Sequence, residues 1–177
     1  MGLDITAYPT AVLLPAHEWS EDCYDGHARP FCYDGHQRSA RNLLLTDYHT
    51  DNGGYWTGPC YEVDHAKAFP FAAGSYSGYN AFREALCVAA LDLKPQAVWE
   101  NPDRYVDAPF YELIYFADNE GTIGGEAAAD LARDFIDLGE KVVPRLMVAG
   151  GDYWRGKYEA WAKAFKLAAG TGLVYFH

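Results

Sequence analysis

The sequence predicts a single α+β domain over residues 1–177, with a mixed or mainly antiparallel sheet packed by about three helices. Three observations lead there. Apolar residues recur at three- and four-residue steps in three stretches: Tyr79, Phe82, Leu86 and Ala89 or Ala90; Ala128, Leu131, Phe135 and Leu138; and Tyr153, Trp154, Tyr158, Trp161, Phe165 and Ala168. That is the spacing of a helix with one buried face. Short β-prone runs bounded by proline, glycine or aspartate surround these stretches. Strands cluster early, helices late, and a strand closes the chain, an order that suits α+β rather than alternating βαβ units. With 177 residues, half of them apolar, the chain can bury well over half of the surface its unfolded form exposes.

In order, Leu3 to Leu14 alternates at Leu3, Ile5 and Ala7 and reads as an opening strand limited by Pro9 and Pro15. Residues 22–58 read as an insertion-like hairpin and loop region. Within it CYDGHAR and CYDGHQR repeat nine residues apart, and each copy carries the Asp-Gly pair that tolerates positive φ in tight turns. Ser39 to Gly58 is polar and punctuated, hence a loop. Cys60 to Phe71 alternates again and reads as a strand running up to Pro70. Gly74 to Gly78 reads as a flexible loop, with Ser77 as the N-cap of a helix that ends before Pro95. Trp99 to Ala108 shows no clear element.

Phe110 to Phe116, after Pro109 and before Asp118, Asn119 and Gly121, reads as a buried strand, the one on which the rest is organised. A glycine-rich loop leads from it into a helix over Gly125 to Leu138. A segment at Val142 to Val148 is interrupted by Pro144, and a last helix spans Asp152 to Ala169, stopped by Gly170 and Gly172. The closing GLVYFH is a short strand with His177 at the sheet margin.

Fourteen basic against twenty-five acidic side chains leave a net charge of −11, which opposes direct binding to nucleic acid or to an anionic membrane. No stretch approaches 18 apolar residues, and four cysteines without a secretory signal suit thiols in a reducing compartment. Aromatics reach 16%, with 14 Tyr and 5 Trp, an excess useful on ligand or partner surfaces as well as in a core.

MGLDITAY at the start, FAAGSYSGYNAFREAL at 71–86, PFYELIYFADNEGTIGG at 109–125 and the closing AWAKAFKLAAGTGLVYFH resemble a family of uncharacterised proteins carried by bacteriophages and prophages. The resemblance spans nearly the whole chain except the Cys-rich hairpin region. It implies a phage accessory protein acting in the cytoplasm of a bacterial host, and it brings no catalytic residues with it.

Two glycine-bearing loops open helices, and free N–H groups at a helix start attract anions. If both face one cleft, its polar contacts are Ser75, Ser77, Asn80, Arg83, Asp118, Asn119, Glu120 and Thr122, with Tyr76 and Tyr79 as stacking faces. Neither loop matches a phosphate fingerprint. Asp118 and Glu120, with His65, would be the acid/base groups of a hydrolase. Read as an EF-hand loop from Asp118, the sequence has Ile123 where glycine is needed, so calcium does not fit. Cys23, His27, Cys32 and His36 are zinc-compatible donors at C-x3-H-x4-C-x3-H spacing, which departs from the usual paired pattern. Exposed turn decoration is the simpler account, and no cofactor is expected. The leading expectation is a protein that binds, sequesters or blocks a host component, either a defence protein or a small nucleotide-like ligand. A hydrolase and a zinc-stapled interaction module are the alternatives. The partners the sequence allows are a host protein, that ligand, or a second copy of the chain.

Overall fold

The computed structural model describes residues 2–13, 27–28, 43–45, 61–116 and 121–176. The architecture is α+β, and its sheets are antiparallel throughout. Among the described residues the larger sheet has five strands: β1 (Gly2–Tyr8), β4 (Leu43–Leu45), β6 (Phe69–Ser75), β7 (Gly121–Gly124) and β8 (Leu173–Phe176), in the order β4-β7-β8-β1-β6. A smaller sheet joins β2 (Ala11–Leu13), β5 (Tyr61–Val63) and β3 (His27–Ala28), with β5 in the middle.

Alternation decides which face of the large sheet is the core. Leu3, Ile5 and Ala7 of β1, Ile123 of β7, and Val174 and Phe176 of β8 point to one face and are fully buried. Against them pack α1 (Tyr76–Leu91), α5 (Gly125–Asp137) and α6 (Gly139–Ala168). Trp161 is the hub: its ring stacks on Phe165 at 5.5 Å, meets Phe71 edge-on at 4.9 Å, and touches Tyr79, Phe82 and Phe176. On the opposite face Tyr8, Leu173 and Val63 form a second, smaller cluster beneath the small sheet.

The three expected helices are present, and among the described residues three shorter ones accompany them: α2 (Pro95–Glu100), α3 (Pro102–Tyr105) and α4 (Tyr111–Tyr115). Trp99 to Ala108 is therefore not an elementless connector. Pro95, read only as the stop for α1, is also the first residue of α2, a position where its missing N–H costs nothing.

Phe110 to Phe116 is not a strand. Phe110, Tyr111, Glu112, Leu113 and Ile114 are all buried, and a run enclosed on every side has no period from which helix and strand could be told apart. Phe110 takes a left-handed conformation (φ 58°), and its N–H donates to Asp134 Oδ2 on α5 at 2.7 Å. The strand lies just downstream, at β7, where a loop was expected. Conversely, Gly74 to Gly78 is no loop: β6 passes directly into α1, and Ser75, not Ser77, is the cap, its Oγ accepting the Gly78 N–H at 3.1 Å. A register shift at Leu3/Asp4 and the positive φ of Gly74 (115°) turn the chain there.

Further differences follow from tertiary pairing. The opening strand divides at Pro9 into β1 and β2, which serve different sheets. The 60–71 run divides at a 3-10 turn, His65–Lys67, and Pro70 sits inside β6, tolerated because β6 is an edge strand. Leu43–Leu45, within the expected 39–58 loop, pairs with β7. The Val142–Val148 segment and the last helix are two halves of α6, broken at Gly151 (φ 62°). The expected closing strand is β8, which lies between β7 and β1, and His177 falls outside the described residues.

Candidate functional site

A groove of about 580 Å³ runs between α1 and α2, within the roughly 300–1,000 Å³ span of small-molecule clefts. Ser77, Asn80, Arg83 and Glu84 come from α1; Pro95, Gln96 and Trp99 come from α2. Positions 77, 80 and 84 recur at helical spacing, so α1 presents them along one side while Tyr79, Phe82 and Leu86 enter the core.

Arg83 is the unusual member, only 4% exposed. One of its terminal nitrogens donates to the backbone carbonyls of Ile114 and Phe116, and the other donates to Asn80 Oδ1. The guanidinium lies over the Tyr79 ring at 4.8 Å and the Trp99 ring at 5.4 Å. Trp99 Nε1 also donates to the Ile114 carbonyl at 2.9 Å, so α1 and α2 jointly satisfy the C-terminal carbonyls of α4. Among the described residues the ion pairs are Lys67–Asp64, Arg133–Asp130, Arg145–Asp92 and Arg155–Asp152; none involves Arg83. Its Nε is buried and unpartnered. Buried cations are ordinarily paired with carboxylates, because desolvating an isolated ion costs several kcal/mol. Here carbonyl dipoles and two π faces hold the charge without cancelling it.

Cys87, further along α1, is buried and does not line the groove. Burial, and then the charge of Glu84, push the Cys87 thiol up to about 11, so it stays protonated at neutral pH.

The other residues singled out from the sequence are distributed as follows. Ser75 is occupied in capping α1 and shares a hydrogen bond with Ser77 at 2.9 Å. Tyr79 is fully buried, its hydroxyl donating to the Leu113 carbonyl at 3.4 Å, and Tyr76 is half-buried against the core, so neither offers a free stacking face. Thr122 is buried in β7, away from the groove. His65 is exposed on the 3-10 turn with its ring edge-on to Tyr8 at 5.3 Å. Asp118, Asn119, Glu120, Cys23, Cys32, His36 and His177 lie outside the described residues, and of His27 only the backbone, in β3, is described. Among the described residues no three His, Cys, Asp or Glu side chains gather as metal ligands, and no helix is long and apolar enough to cross a membrane.

The two helix starts do not face one hollow. Ser75 pairs with Gly2 at the beginning of β1, whereas Gly124 pairs with Leu173, which pairs with Tyr8 at the end of β1. Six residues of strand separate these ends, roughly 20 Å at ~3.3 Å per residue. Ser77, Asn80 and Arg83 therefore share the α1–α2 groove, and Thr122 belongs to the far end of the sheet. Sequence reading missed Trp99 and Gln96, although Pro95 followed by the apolar pair Val98 and Trp99 was the available signal of a short helix.

Comparison of the chain with protein-family models, curated proteins and solved structures finds no match.

Proposed function

We propose that this protein is a binding protein that captures a small anionic ligand with a planar ring, nucleotide-like in chemistry, in the groove between α1 and α2. The observation that carries the reading is the buried guanidinium of Arg83, without a carboxylate partner among the described residues, beside the 39%-exposed ring of Trp99. A fixed cation suits a phosphate or carboxylate, an exposed indole face suits a base, and the Ser77 hydroxyl and Gln96 amide on the rim can orient what lies between. Capture rather than turnover fits the protonated Cys87 and the place of His65, which packs on Tyr8 and is not part of the groove lining. Taken with the resemblance to phage and prophage proteins, the reading extends to the sequestration of a host nucleotide signal in the bacterial cytoplasm.

Calorimetry with a panel of mono-, di- and cyclic nucleotides, followed by chromatography of the recovered ligand, tests this. Saturable binding with the ligand recovered unchanged is expected. Trp99→Ala is expected to weaken that binding about tenfold or more, as loss of one aromatic stacking face does. Ligand returned as product would replace capture by catalysis, and silence across the panel would end the nucleotide reading.

A further inference from the structure

We infer that a second pocket, at the start of α5, is a site for one small oxyanion of the phosphate class. The pocket, about 190 Å³, lies at the Tyr8 end of the large sheet and is lined by Thr122, Gly124, Gly125, Gly170, Gly172 and Tyr61, among others. It has room for a phosphate group and a few waters but not for a nucleoside.

Two independent features point to an anion. The first is the thirteen-residue α5 itself: Gly124 is its N-cap and provides no side-chain oxygen, so no side chain caps the N–H groups of its first turn. The helix dipole adds partial positive charge there. The second is Thr122, which lines the pocket, is 1% exposed, and has an Oγ1 with no hydrogen-bond partner among the described residues. Leaving a buried hydroxyl unsatisfied is destabilising, and valine, of the same shape and at least equal strand preference, would avoid it. A hydroxyl donating to a bound oxyanion next to uncapped amides accounts for threonine at this position.

The glycines have a separate explanation. A Cβ on Gly125 would lie 2.2 Å from the Gly170 carbonyl oxygen, and one on Gly172 would lie 2.0 Å from that of Tyr8. They allow three backbone segments to cross closely, and that crossing forms the pocket walls. Glu126, exposed in the first turn of α5, is the acidic side chain adjacent in sequence and opposes the anion.

The test titrates the full chain with inorganic phosphate against chloride at constant ionic strength, reading thermal unfolding and calorimetry. A saturable rise in Tm with phosphate is expected. Thr122→Val, at least as stable as the parent without phosphate, should bind it about tenfold more weakly. Thr122→Ser should keep most of the response, Glu126→Gln should strengthen it, and Trp99→Ala, which alters only the groove, should leave it unchanged. Phosphoserine in a parallel titration distinguishes a free ion from the terminus of a larger ester. An unsaturable response, or a Thr122→Val protein that responds like the parent, overturns the inference.

Discussion

At the scale of single residues, one acid shows how burial and backbone strain are coupled. Asp134 accepts the N–H of Phe110, the residue held in the left-handed region at the entry to α4. Desolvation raises the Asp134 carboxyl above its ordinary value, and the hydrogen bond from Phe110 only partly opposes this. Between 3.8 and the raised value the folded protein keeps a proton that the unfolded chain has released, so stability falls as pH rises through that window. Asp134→Asn, which keeps an acceptor and loses the charge, should flatten this slope and be no less stable than the parent at pH 7. Asp134→Ala should cost ~1–3 kcal/mol by orphaning the Phe110 N–H. Urea unfolding at pH 4, 5 and 7 reads both outcomes. Trp161 is the residue whose loss should be largest: Trp161→Ala opens a cavity among five aromatic neighbours and should cost about 3–5 kcal/mol in the same assay. Cys87 should resist thiol reagents at neutral pH until the chain unfolds.

At the scale of elements, the C-terminal ends of α1 and α4 are tied down by neighbouring elements rather than by their own sequence. The last carbonyls of α1 receive Lys141 Nζ on Ala90 at 2.9 Å and Arg145 on Ala89 at 2.7 Å, and Arg145 also pairs with Asp92, the left-handed cap. The Arg145 guanidinium holds the Asp92 carboxyl below its usual value. Arg145→Ala should accordingly raise amide exchange in the last turn of α1 before it lowers global stability, a difference that hydrogen exchange resolves. The same reliance on neighbours separates what the sequence revealed from what it concealed. Amphipathic α1, α5 and the later half of α6 were legible because each buries one stripe and exposes the rest. The short β7 and the fully enclosed α4 were not, because β7 is recruited by pairing with β8 and β4, and α4 is completed by Arg83 and Trp99 from other helices. Ser77, Asn80 and Arg83 were legible as neighbours from their spacing near one helix start, and they line one groove. Trp99 was hidden, since its role exists only once α2 lies beside α1.

At the scale of the whole molecule, the fold depends on contacts between the far ends of the chain. β1 pairs with β6 on one side and with β8 on the other, and Gly172 passes so close to Tyr8 that no Cβ fits between them. Gly172→Ala should thus be among the most damaging single changes outside the aromatic core, lowering Tm sharply without altering composition or charge, as differential scanning fluorimetry would register. Removal of residues 173–177 should abolish the cooperative unfolding transition altogether, since it leaves β1 and β7 without a shared neighbour. This placement of β8 also constrains the order of events at the ribosome. Residues 2–8 precede residues 173–176 in the chain, so the sheet cannot close until both have been made, and until then the edges of β1 and β7 that β8 covers are open to other strands. A chain cut just before Leu173 would keep α1 to α6 and lack the strand that joins the two halves of the sheet.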